Sequence, residues 1–136
     1  MTKTYDAHLV TMSFGSHIVT GFADDSFITI EANGDGITKK VGCDGEVARA
    51  LPPDRTHKVK CTLLQTSVSN SVFQAAYKRD LETGEGMAPL LIKDLKGGLL
   101  FSSEDAWITK DATRTRGKDT NNNDWEFDCG SSSLDE

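Results

Sequence analysis

The chain has 136 residues, with 15 Lys and Arg against 21 Asp and Glu for a net charge of −6, and 37% of its residues are hydrophobic. That length and composition fit one domain, 1–136, with a sizeable core and no need of disulfide staples, and they exclude whole-chain disorder. The acidic balance excludes a protein that grips phosphates through Lys and Arg, and the absence of any run near the ~20 apolar residues of a spanning helix, or of a signal peptide in MTKTYDAHLV, predicts a chain made in the cytoplasm with no membrane binding.

The first third reads as strands. Val10, Met12 and Phe14 alternate, a second short strand is expected over Ile18 to Phe22, and Ile28 and Ile30 alternate with Thr29 and Glu31. Gly15-Ser16 and Ala23 to Ser26 supply turns, which predicts a three-stranded meander. From Asn33 to Thr56 the alternation stops among scattered glycines, Pro52-Pro53 and mixed charges, and this predicts a long loop. Connections of more than about 12–15 residues without structure of their own usually serve function or a partner.

His57 to Gln65 returns to strand periodicity, with Val59, Cys61 and Leu63 on one face. Next, Val72, Phe73, Ala76, Tyr77 and Leu81 fall on one side of a 3.6-residue repeat, Ser71 and Gln74 have capping-box spacing, and Gly84 offers a stop. One helix over Ser69 to Thr83 is expected. Pro89 to Lys93 and Leu99 to Ser102 flank a turn at Asp94 to Gly98, Ala106 to Lys110 reads as another strand, and Trp125, Phe127 and Cys129 alternate with Glu126 and Asp128 in a final one. Ser131 to Glu136 reads as a flexible acidic tail. The sum is mainly β with one flanking helix, an antiparallel sandwich or barrel.

Chemical motifs are missing. His8, His17 and His57 are far apart, and Cys43, Cys61 and Cys129 lack zinc spacing. Asp119, Asn121 and Asn123 mimic the first ligands of a calcium loop, yet Asp124 stands where Gly is required and Gly130 where a bidentate Glu is required. The glycines form no phosphate cradle, and no serine sits in a nucleophile elbow. No catalytic residue, metal site or cofactor is therefore assigned, and an enzyme of unrecognised type is the least favoured class.

The order of elements carries more. HKVKCTLLQTSVSNSVFQAAYKRD runs from strand into helix, a hairpin forms around KDLKGG, and AWITK, a GKD turn and WEFDC follow. This order resembles the tail tube proteins of tailed bacteriophages, especially those of contractile tails, over Tyr5 to Gly130. The most specific pieces are Leu63 to Gln74, LIKD around Asp94, Ala106-Trp107-Ile108, and Gly117-Lys118 followed by Trp125-Glu126-Phe127.

The resemblance implies a β-sandwich whose strands join between subunits into an inner barrel, closing hexameric rings that stack into a tube. It implies a virion location in the tail, assembly in the host bacterial cytoplasm, and contacts with the sheath and with a tape measure protein in the lumen before genome DNA passes without tight binding. The tube protein of a type VI-like secretion system is the alternative. The 33–56 loop, with Lys39, Lys40, Val41, Cys43, Asp44, Val47, Arg49 and Leu51, sets apolar anchors among charges and is expected to make the inter-ring contact. Cys43 on that loop is either a spectator thiol or a partner for Cys129 or Cys61 of an adjacent subunit after release into an oxidising medium. Glu126 and Asp128 share a strand face that is either an exposed edge or a lining of the wet lumen.

Overall fold

The computed structural model describes all 136 residues. After a 3-10 turn at Ala7–Leu9, the chain forms β1 (Val10–Phe14), β2 (His17–Ile18), β3 (Ile28–Ala32), β4 (Thr38–Val41), β5 (Val47–Ala50) and β6 (His57–Leu64). Then come α1 (Ser69–Thr83), β7 (Ala88–Asp94), β8 (Leu100–Lys110), β9 (Asn122–Cys129) and β10 (Ser133–Asp135). The main sheet has the order β2-β1-β7-β8-β9-β6-β3, wholly antiparallel, with β10 added to β8.

The strand β8 turns this sheet into two layers. It carries one extra residue between its pairings Leu90↔Ser103 and Ala88↔Ala106, and another between Ile108↔Phe127 and Lys110↔Glu126. Such bulges bend a strand and raise its twist. The first half of β8 thus serves β7 and β10 while the second half serves β9. Residues 19–23 link the two ends of the curl: Val19 N–H donates to Met12 O at 2.9 Å, and Ala23 N–H to Thr62 O at 3.0 Å.

Inside the curl lie Met12, Phe14, Val59, Cys61, Leu63, Leu90, Ile92, Phe101, Ile108, Trp125 and Phe127, all buried. These are the inward positions of strict alternation, and the helix closes the remaining side. Phe73 of α1 meets Phe14, Trp125 and Phe127 edge-on at 6.0, 5.6 and 5.1 Å between ring centres. Such contacts add to what area burial alone supplies.

The helix spans Ser69–Thr83 as the periodicity predicts, and Gly84 at φ 74° ends it, but Leu81, expected on the inner stripe, is exposed because the last turn runs past the core. Its start differs from expectation. Ser71 and Gln74 form no capping box; the side-chain oxygen of Ser67 accepts from Ser69 N–H at 3.2 Å, and Gln74 binds Arg114 instead. Ser67 and Ser69 also hold the 19–23 crossing, through Thr20 O and Thr20 N–H.

Five further expectations change. The meander does not form, because β3 pairs with β6 and β1 takes β7 as its second neighbour; alternation fixes which side of a strand faces inward but not its partner. The second strand is two residues long, since the chain leaves β1 at Val19 to cross to β6. The 33–56 stretch is not a structureless loop but holds the β4–β5 hairpin. Ser133–Asp135 is not a frayed tail: it pairs with Leu100 to Ser102. The separate strands at Leu99 to Ser102 and Ala106 to Lys110 are one bent strand.

Candidate assembly interface

The structure brings no three His, Cys, Asp or Glu side chains into a metal-binding group. The predicted site residues instead fall on a projecting arm, in the core and on one outer strand face.

The arm is the β4–β5 hairpin, a two-stranded sheet that hydrogen-bonds only to itself. Gly42 N–H donates to Glu46 O at 2.8 Å and Gly45, at φ 88°, closes the tip. At its root, the hydroxyl and N–H of Thr56 hold the Asp54 carboxyl below the usual carboxylate range, at 2.6 and 3.0 Å. Every residue of β4 and β5 is exposed. Val41 is 57% exposed and Val47 63%, and they face each other across the hairpin. Lys39 opposes Arg49 on that same face, with Leu51 exposed beyond the end of β5. Cys43 and Asp44 occupy the tip, where Asp44 accepts from Glu46 N–H at 3.1 Å, and Lys40 points to the other face opposite Ala48. An isolated two-stranded hairpin is marginal in water, and like charges directly opposed weaken it further. Sequence reasoning missed the hairpin because neither of its faces is buried, so no apolar period marks it.

The cysteines separate. Cys43 is exposed, whereas Cys61 and Cys129 lie in the core. Burial pushes the Cys61 thiol up to about 12 and raises that of Cys129 as well. A bond from Cys43 to Cys61 or Cys129 of an adjacent subunit therefore requires the core to open first.

Glu126 and Asp128 point outward from β9, half-exposed. Lys60 sits opposite Glu126 and Lys58 opposite Asp128, and Glu31 of β3 faces Lys58 from its other side. The face is a checkerboard of both signs, in which each lysine has an acidic cross-strand neighbour.

A feature with no signal in the linear sequence is an apolar groove of about 760 Å³ where the two layers part at the β3 edge. Ile28, Ile30, Val10, Leu99 and Leu134 line it, with Asp24, Asp25, Asp94 and Glu136 around them and no Lys or Arg.

The arm and the groove both leave apolar surface uncovered in the single chain. Residues 4–135 match the family described as the Bacteriophage PhiTE tail tube protein. The chain belongs to this phage tail tube family. It is a structural protein of the tail and not an enzyme. It is 32% identical over 132 residues to structural protein ORF10 of Pseudomonas phage KPP10, covering 91% of this chain and 76% of that one. Its fold is that of solved contractile-system and virion proteins. The tube-terminating cap of the anti-feeding prophage superposes with a TM-score of 0.65 at 7% identity, over 99% of this chain and 93% of that one. A chain of the sheath-tube complex of the PVC extracellular contractile injection system gives 0.63 at 8% identity, over 97% and 91%. A chain of the gene transfer agent virion gives 0.65 at 11% identity, over 98% and 100%.

Proposed function

We propose that this tail tube protein, acting as a single domain over 1–136, closes into hexameric rings that stack as the inner tube of a contractile tail, the conduit for genome DNA during ejection. The β4–β5 arm carries this reading: it leaves Val41, Val47, Leu51, Lys39, Lys40 and Arg49 exposed, on strands that pair only with each other. Such a hairpin gains stability when a neighbouring ring covers it. Ring closure is supported by β3, whose outer edge is unpaired in the main sheet; joining edges between identical subunits removes that hazard.

The checkerboard face of β6 and β9 supports a lumen lined by Glu126 and Asp128. Lys58 and Lys60 are offset by their acidic neighbours, so passing phosphates meet no free cationic track. In this reading the lumen holds a tape measure protein until ejection, the outer surface meets the sheath, and assembly takes place in the host cytoplasm. The match to a phage tail tube family and to a phage structural protein favours a tail over a secretion tube of the same fold.

Deleting Gly42 to Arg49 tests the arm. Because β4 and β5 bond only to each other, the deletion is expected to leave a folded subunit with its β signal and cooperative melt intact, unable to form tubes by electron microscopy. Tubes of normal length from the deletion variant refute the role.

A further inference from the structure

The arm and the groove are complementary. One face of the arm sets an apolar pair, Val41 and Val47, beside a cationic pair, Lys39 and Arg49. The groove offers the reverse: an apolar floor of Ile28, Ile30 and Leu134, flanked by Asp24, Asp25 and Glu136 with no cation among its lining residues. Each surface is costly alone. Lys39 and Arg49 repel across the hairpin, and Asp24 and Asp25 crowd two carboxylates beside apolar side chains exposed to water.

We propose that the groove of one subunit receives the β4–β5 arm of a second copy, with Val41 and Val47 on the Ile28–Ile30 floor and Lys39 and Arg49 against Asp24 and Asp25. This rests on the reading of the arm as an assembly device and names its acceptor. The arm pairs only with itself in its own chain, so the occupant comes from another molecule. Charge complementarity selects a copy of this chain, since one sequence carries both halves of the match. Arm and groove are different surfaces, so the contact is heterologous: each copy gives an arm and receives one, and the arrangement propagates from subunit to subunit. Opposed charges at its rim fix the register of docking and speed encounter, while the apolar floor supplies burial.

Charge reversal on each side separates this proposal from the reading beneath it. Lys39→Glu with Arg49→Glu, and separately Asp24→Lys with Asp25→Lys, are each expected to raise the concentration needed for tube assembly by about tenfold or more, because like charges then meet. All four changes in one chain are expected to restore assembly most of the way toward wild type. A groove variant that assembles normally overturns the acceptor assignment, as does a four-fold variant no better than the arm variant, while deletion of Gly42 to Arg49 still reports on the arm itself. In case the groove variant fails to fold, a photo-crosslinker in place of Val47 in otherwise unaltered tubes gives a second reading. Cross-linked peptides spanning Asp24 to Ile30 of another copy support the proposal, and cross-links confined to other segments overturn it.

Discussion

The indole Nε1–H of Trp125 donates to Oδ1 of Asn70 at 2.9 Å, tying the middle of β9 to the first turn of α1. The amide of Asn70 also donates to Leu64 O at 2.9 Å and Ser67 O at 3.1 Å, so one side chain joins the end of β6, the entry to the helix and the core indole. Trp125 is fully buried, and Asn70, which lines an open polar pocket beside α1, is the acceptor its N–H finds in the chain.

Asn70→Ala is therefore expected to lower the unfolding free energy by about 1–3 kcal/mol, since it removes the indole's acceptor and one of the two donors to each of the Leu64 and Ser67 carbonyls. Trp125→Phe removes the donor and some core volume. In a double-mutant cycle by urea unfolding, the pair is expected to lose less than the sum of the singles. Strict additivity would deny the coupling.

Gly21 sits at φ 74°, and a Cβ there would come within 2.6 Å of the Ser67 Cβ. Gly21→Ala combines a left-handed backbone with a clash against the residue that caps α1 and binds Thr20 O. Thermal melts of the monomer are expected to show a loss of about 1–3 kcal/mol. The same change at Gly36, also left-handed but with open space around it, isolates the backbone part of that cost.

The thiols give a chemical readout of burial. In the native subunit one thiol, Cys43, is expected to react rapidly with a disulfide reagent, and Cys43→Ser removes the fast phase. Cys61 adds a pH dependence: its folded value of about 12 stands above the unfolded one, so its contribution is full below the unfolded thiol range and is lost as pH rises toward 12. Cys61→Ala is expected to be less stable near neutrality yet to show a shallower fall above pH ~9, by at most about 1.4 kcal/mol per pH unit. Parallel profiles for the two proteins would rule this out.

Much of the fold was legible because one face of each long strand is dry. Val59, Cys61 and Leu63 in β6, Trp125, Phe127 and Cys129 in β9, and the stripe of Val72, Phe73, Ala76 and Tyr77 in α1 announce themselves by period, and each takes up its expected side. The arm was not legible as structure. Thr38 to Val41 and Val47 to Ala50 have no buried face, and a hairpin wet on both sides leaves charge and apolar residues mixed at both parities. Its mixture of apolar and charged residues was legible, and the exposure of Val41, Val47 and Leu51 is what the structure adds to it.

By itself the sequence determined the class of the protein: a mainly β domain with one helix, acidic, and ordered like a tail tube protein. Those features depend on local periodicity and on residue chemistry, both of which act over a few positions. Only the tertiary structure decided which strands are neighbours, because alternation is the same whatever the partner. It also decided that the 33–56 stretch holds a hairpin paired only with itself. The groove belongs to that second class: Asp24, Ile28, Asp94 and Leu134 are distant along the chain, and only the parting of two bulge-bent layers sets them around one opening.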